Sequence, residues 1–484
     1  MESHPSQLSA LVALIASATQ LVESRFKASS KPDVPSLDDT EEHPLDSAFA
    51  DPELRAAIQT IEGACAQLCA TVARPSHTIV NRQMEVFAPH CLNVATTFKI
   101  ADILEEQPEG MHIDDIGARS GIDAQKLGRI LRLLATRHVF REVSEDVFAN
   151  NRLSMQLLST NPVSSLGLHF TEEATGSASF LAQTLADPEW GASRDPRKTA
   201  FNKYTKFDGA LFEYYEGPEA ERIDLVVIQQ GTPMGAALGQ RFGVAMAGWG
   251  TAIEACNLVY EYPWHELPPG ASVCDVGAGI GLITLQLAKA HPHLMLKLQD
   301  LPERVIQAKN VVWPKQCPEA IAEGRIEFEP MDFFVDSPVP NCDVYYLKNI
   351  IHNWLDNDCA KILSGIRKVM GPHSRILIHE YILQHATPSN STSPSSQGFD
   401  TAVRDNKSLG HTQAPKELLS NYGAGRVRQY NLDLVMMSLL NAQERTLDGF
   451  IKLGEASGLE FVKLWDFGEM SAVEFKLPEA AEQS

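Results

Sequence analysis

The spacing of apolar positions changes several times along this chain, and the changes divide it into regions. Near the start, Leu8, Leu11, Val12, Ile15 and Val22 recur at helical spacing and predict a packing helix. The following KPDVPSLDDTEEHPLDSAFADPE is rich in proline and acids and poor in large apolar residues, which predicts a flexible, solvated linker. Helical patterns resume at Leu54. Between Thr96 and Leu153 the order is specific: TFKIADILEE predicts one amphipathic helix, HIDDIGARSG a second closed by Gly121, and Asp123 is placed to cap a third. Leu127, Ile130, Leu131 and Leu134 share a face of that third helix, and HVFREV and VFANN predict two short strands. Helical spacing returns from Phe201 to Leu267. From Ser272 onward the apolar runs SVCDVG, LMLKLQD, RIEFEPMD, CDVYYLKN, SRILIHEYIL and a closing FVKLWDF alternate with helices, the pattern of an open α/β sheet.

These changes imply an N-terminal helix and linker over 1–53, a helical winged-helix domain over 54–200, linking helices over 201–270 and an α/β domain over 271–484. A Ser-, Pro-, Thr- and Asn-biased stretch over 384–430 predicts a mobile surface insertion in the last of these.

Helix, turn, helix and hairpin also describe DNA-binding regulators, and Lys126, Arg129, Arg132 and Arg137 could form a phosphate-contacting face. A formal net charge of −21 opposes that reading and predicts no nucleic-acid or acidic-membrane partner. The four cations read instead as the solvated face of a core-packing helix. With 44% hydrophobic and 21% charged residues the chain reads as globular. Its 8 cysteines are scattered, without a C-x-x-C pair, which fits a reduced, cytoplasmic compartment and no metal. No run reads as a signal peptide or as long enough to span a bilayer.

Chemistry concentrates between Ser272 and Asp300. There an apolar run ends in a turn holding Gly277, Gly279 and Gly281, a helical pattern follows, and a second apolar run stops on an acid. Such glycines let the backbone approach a ligand and the helix approach its strand, and Asp300 stands where a carboxylate accepts ribose hydroxyls. A nicotinamide turn would read G-x-G-x-x-G. This one reads Asp275-x-Gly277-x-Gly279-x-Gly281, the pattern of S-adenosyl-L-methionine binding.

His352 lies just past the fourth strand, in the first turn of the following helix, at the sheet edge where a ligand belongs. A neutral imidazole can take a proton from a phenol. A lone histidine is more often structural, but Glu380 at the end of the fifth strand and Glu444 in LLNAQERTLDGF are placed to reach it from two sides and hold its tautomer. Met246 and Trp249 fall at helical spacing and could line an aromatic pocket, although core packing is the commoner meaning of such a stripe.

With these motifs in order, the region from Trp249 to Gly468 resembles the class I O-methyltransferases of the plant and fungal caffeate and flavonoid type, and the winged helix resembles their dimerisation domain. The resemblance implies a Rossmann-like sheet and a homodimer. It implies that Gly277, Gly279, Asp300, Leu301 and Lys348 hold S-adenosyl-L-methionine, with Asp332 and Phe333 flanking its adenine. It implies His352 as the base beside Glu380 and Glu444, Trp354 and Met437 joining Met246 and Trp249 near a small hydroxylated aromatic substrate. Met331 stands where the family has glycine, and Asn353 where it usually has aspartate. The runner-up reading keeps the fold and cofactor but catalyses a non-methylating, pericyclase-like step.

Overall fold

In the computed structural model, residues 6–47, 51–216, 234–387 and 414–479 are described. The chain packs as two compact units. One comprises Met1–Ala48, Ala64–Ala252 and Ser438–Leu440, the other Phe49–Gly63, Ile253–Met437 and Asn441–Ser484.

In the first unit, the helix Gln7–Lys27 starts at Ser6, whose hydroxyl accepts the Ser9 N–H, and buries Leu11, Ala18 and Phe26. It contains the whole Leu8–Val22 stripe and continues past it to Lys27. At 21 residues it is long and apolar enough to cross a membrane by length and composition, which corrects the expectation that no run is. The segment after it is largely exposed, in line with the expected solvation, and is anchored at His43. His43 is buried with its ring 4.7 Å from that of Phe26, and its Nε2 lies 2.8 Å from the Lys31 carbonyl. Composition undercounts such a segment, since a buried imidazole and backbone hydrogen bonds hold it in place of large apolar side chains.

The winged helix forms as its caps predict. Asp123 accepts the Lys126 N–H at the start of Ala124–Thr136, Gly121 closes Ile113–Ser120 in the left-handed region, and Leu127, Leu131 and Leu134 are buried. The expected helix TFKIADILEE is broken, because Lys99 adopts φ 51° between Phe87–Thr97 and Ile100–Glu105. The hairpin strands β2 (Arg141–Ser144) and β3 (Val147–Ala149) are joined by a third, β1 (Met111–His112), too short to leave a pattern. Arg132 is committed to Glu142 and Asp146 of the hairpin, as the solvated-face reading requires. The helix Met234–Ala252 passes close to Pro162–His169: a Cβ on Gly248 would lie 2.6 Å from the Pro162 carbonyl oxygen. The helical pattern expected over 217–233 lies outside the described residues.

The second unit is built on a seven-stranded sheet. Its strands are β4 (Ser272–Val276), β5 (Met295–Asp300), β6 (Ile326–Pro330), β7 (Val344–Lys348), β8 (Arg375–Glu380), β11 (Glu460–Asp466) and β12 (Ser471–Lys476). Two short strands, β9 (Ile382–Leu383) and β10 (Arg445–Thr446), pair beside it in parallel. The sheet order is β11-β12-β8-β7-β4-β5-β6, parallel except for β12. Continuous apolar runs such as VYYLK suit strands covered on both faces, and Leu347, Ile378, Ile362, Leu363 and Phe450 meet in one core. The sequence pattern ends the sheet at FVKLWDF and passes over β12. Glu474 interrupts that strand's apolar run, yet it is buried, 2.6 Å from Trp465 Nε1 and 3.2 Å from Arg375 Nε.

Of the expected insertion, residues 388–413 lie outside the described residues. The described part that follows is packed: Tyr422 and Gln429 are buried, and Gly425 lies against the Gln59 backbone.

Candidate active site

Parallel strands deliver their carboxyl ends to one edge of the sheet, and the candidate residues of the second unit lie along that edge. At the end of β4 the three glycines have positive φ, each for its own reason. A Cβ on Gly277 would lie 2.5 Å from Ile350 Cδ1, and one on Gly281 2.4 Å from Leu298 Cδ1 of β5. A Cβ on Gly279 would meet nothing within 4 Å. Two glycines therefore permit close packing, and the third borders open space.

Asp300 ends β5 and organises this turn. Its Oδ2 accepts the Gly279 N–H at 2.7 Å and its Oδ1 the Leu301 N–H at 2.7 Å. Burial raises its pKa, against these two hydrogen bonds. Asp275, on β4, is buried under the turn and accepts from Thr284 of the helix Leu282–Ala290. Desolvation pushes its carboxyl up to about 7, with Thr284 and Lys348 opposing. Lys348 ends β7 half-buried. Burial lowers its pKa, with Asp275 the leading opposing charge.

Beyond β6, Met331 is buried in the core and donates its N–H to the Asp300 carbonyl at 2.8 Å. The side chain that departs from the family's glycine thus fills the interior. Asp332 Oδ1 accepts the Phe334 N–H at 2.9 Å, and the rings of Phe333 and Phe334 stand edge-on to Trp354. Open space beside Gly279, a carboxylate at the end of β5 and the half-buried ring of Phe333 after β6 are a set that fits an adenosyl group.

His352 sits on a single 3-10 turn, Ile351–Asn353, ahead of the helix Asp356–Arg367, where the sequence reading had placed it inside the helix. The ring is buried, its Nδ1 2.6 Å from Glu444 Oε1, and Nε2 has no hydrogen-bond partner among the described residues. Burial disfavours the imidazolium, but the Glu444 charge and hydrogen bond, with Glu380 behind them, outweigh it and raise the His352 pKa. Asp433 supports Glu444 from behind by accepting its backbone N–H at 2.8 Å.

Glu380 does not hold the ring. Its Oε1 accepts the N–H groups of Ile350 and His352 at 3.0 and 3.1 Å, so it fixes the turn. That differs from the expectation of two carboxylates gripping one imidazole, because β8 delivers Glu380 beneath the backbone of the turn. Burial pushes its carboxyl up to about 7. Glu380 Oε2 and Glu444 Oε2 are buried without a partner among the described residues. One ligand atom from each of His352, Glu380 and Glu444 lies within 4.8 Å of the others.

Of the candidate substrate neighbours, Met246 and Trp249 belong to the first unit, and Trp354 and Met437 to the second. Trp249 is buried, edge-on to Phe170 at 5.7 Å. Sequence reasoning gave no role to Thr284, Asp433 or Arg445. Only Arg445 left a signal, as the neighbour of Glu444 in LLNAQERTLDGF.

Residues 262–423 match the O-methyltransferase domain family and residues 83–160 the O-methyltransferase dimerisation domain. The chain is 43% identical over 471 residues to 3-O-methyltransferase 2 of Phanerochaete chrysosporium, covering 97% of each chain. It is 33% identical to the O-methyltransferase gedA of Aspergillus terreus, covering 86% of this chain and 85% of that one. Among solved structures, the mitomycin 7-O-methyltransferase MmcR shares the fold at a TM-score of 0.61 with 21% identity, over 84% of this chain and 98% of that one. LepI, solved in complex with SAM, shares it at 0.66 with 18% identity, over 96% and 100%. The chain therefore belongs to the class I O-methyltransferases of the plant and fungal type and is an S-adenosyl-L-methionine-dependent O-methyltransferase.

Proposed function

We propose that the enzyme methylates a hydroxyl group, phenolic in character, of a small aromatic or polyketide-derived metabolite, with His352 as general base. The observation that carries this reading is the buried Glu444–His352 pair, which occupies Nδ1 and leaves Nε2 without a partner among the described residues. Asp275, Gly277, Gly279, Asp300, Leu301, Asp332, Phe333 and Lys348 would hold the cofactor, which when bound would supply an electrophilic sulfonium methyl group and, as its carbon–sulfur bond breaks, leave as the neutral thioether. His352 Nε2 receives the proton of the substrate hydroxyl as its oxygen forms the new bond to carbon. The carboxylate of Glu444 stabilises the resulting imidazolium, and Glu380 keeps the turn in place. Within the second unit, Trp354 and Met437 are the apolar candidates for holding a flat substrate, and positioning contributes more than the base alone.

Methyl transfer from labelled S-adenosyl-L-methionine to a panel of phenols, amines and thiols, read by mass, tests the proposal. Transfer to phenols supports it. Transfer to amines or thiols alone overturns it, and cofactor binding without transfer to any acceptor favours the pericyclase-like alternative. We further propose a homodimer formed through the dimerisation region, which elution at monomer mass in gel filtration would contradict.

A further inference from the structure

We infer that Arg445 is a positioning residue that sets the orientation of His352. The inference rests on His352 being the base. Arg445 follows Glu444 on β10, and its side chain is buried. Its Nη1 donates to the Ile351 carbonyl at 3.0 Å and its Nη2 to the Trp354 carbonyl at 2.9 Å. Those two carbonyls bracket His352 in the chain. Nε and Nη2 also reach Asp356 Oδ1, at 3.0 and 2.7 Å, in the first turn of the next helix. One planar group thus ties both sides of the 3-10 turn to the helix behind it, a geometry that needs the rigid fork of a guanidinium and that an ammonium cannot reproduce.

The placement links the three side chains that act on this turn. β10 pairs with β9, Arg445 opposite Ile382, and β9 begins two residues after Glu380. Glu444 holds the imidazole, Glu380 the N–H groups of Ile350 and His352, and Arg445 the carbonyls of Ile351 and Trp354. A turn of three residues has no regular ladder to keep its shape. Without Arg445 these carbonyls lose a buried donor, and the ring is free to leave the line between substrate hydroxyl and Glu444. Arg445 touches no reacting atom, so it acts through His352.

The test compares Arg445→Met, Arg445→Lys and Arg445→Ala with His352→Ala in one methyl-transfer assay. In Arg445→Met, kcat should fall on the order of 10–100-fold, the range expected when a reacting group is misplaced by about 1 Å. KM for S-adenosyl-L-methionine should hold. Arg445→Lys should not restore the rate, whereas added guanidinium ion should partly restore Arg445→Ala. Combined with His352→Ala, Arg445→Met should cost nothing further, because the group it orients is gone. An Arg445→Met protein with unchanged kcat overturns the inference. So does an equal loss in the His352→Ala background, which would mark a purely structural role. If His352→Ala itself keeps full turnover, the base assignment has failed. If His352→Ala is inactive while all Arg445 variants keep their rate, only the Arg445 inference has failed. Should Arg445→Met not fold, guanidinium rescue and the Lys variant decide.

Discussion

Glu444 Oε1 stands 2.6 Å from His352 Nδ1, and both side chains are buried. With the carboxylate on Nδ1, the neutral ring carries its proton there and offers Nε2 as acceptor. This single contact selects the tautomer that a base facing a hydroxyl requires.

Removing the ring should stop proton transfer and spare the cofactor site, whose hydrogen bonds belong to other strands. We expect His352→Ala to lower kcat by about 10²–10⁴-fold, the usual worth of a positioned base. Cofactor affinity, measured by calorimetry, should be unchanged.

The pH dependence has a definite sign. The base works when neutral, so kcat/KM must fall as pH drops through the His352 pKa, which lies above the ordinary 6.5. Glu444→Gln removes the charge and leaves burial, which favours the neutral ring. The acidic limb should then move to lower pH while maximal kcat drops, since the imidazolium has lost its partner. An unmoved limb in the pH–rate profile would exclude His352 as the titrating group.

The glycine turn separates stability from binding. Gly281→Ala places a Cβ 2.4 Å from Leu298 Cδ1 at φ +78°. It should destabilise the fold by about 1–3 kcal/mol, read in a denaturation curve. Gly279→Ala meets no neighbour within 4 Å, so its own cost is that of φ +60° alone. It should lose more cofactor affinity than stability, because its methyl projects into the open space.

Asp300→Asn should weaken both turn and cofactor binding. The carboxylate accepts from two backbone donors, and an amide replaces one acceptor oxygen by a donor facing an N–H. We expect a stability loss of about 1–3 kcal/mol and a raised Kd for S-adenosyl-L-methionine. Retained affinity would argue against Asp300 as a cofactor ligand.

The mechanism proposed uses no metal, although His352, Glu380 and Glu444 lie close enough together to ligate one. Activity should survive extended dialysis against EDTA. Loss on chelation and recovery with a divalent cation would reassign the three residues as ligands.

Local physics made the α/β pattern legible. The glycine turn, the acid ending the second strand and the helix caps at Gly121 and Asp123 are set by backbone conformation and nearest neighbours, so they could be read in order from residues alone. The resemblance to O-methyltransferases rested on the order of motifs at Gly277–Gly279, Asp300, Asp332–Phe333, Lys348, His352, Trp354, Glu380 and Glu444. Contacts distant in sequence were decided only in three dimensions. β12 was missed because Glu474 looks solvent-facing until Arg375 and Trp465 arrive from other strands. The anchoring of the segment at His43 depends on Phe26 and a carbonyl of Lys31, and the packing of Tyr422 and Gly425 on the fold, none of which composition registers. The sequence brought His352, Glu380 and Glu444 together by type, but not their division of labour. Which carboxylate meets the ring and which meets the backbone depends on the directions in which the end of β8 and the residue just ahead of β10 point their side chains, and that is settled by sheet register and packing.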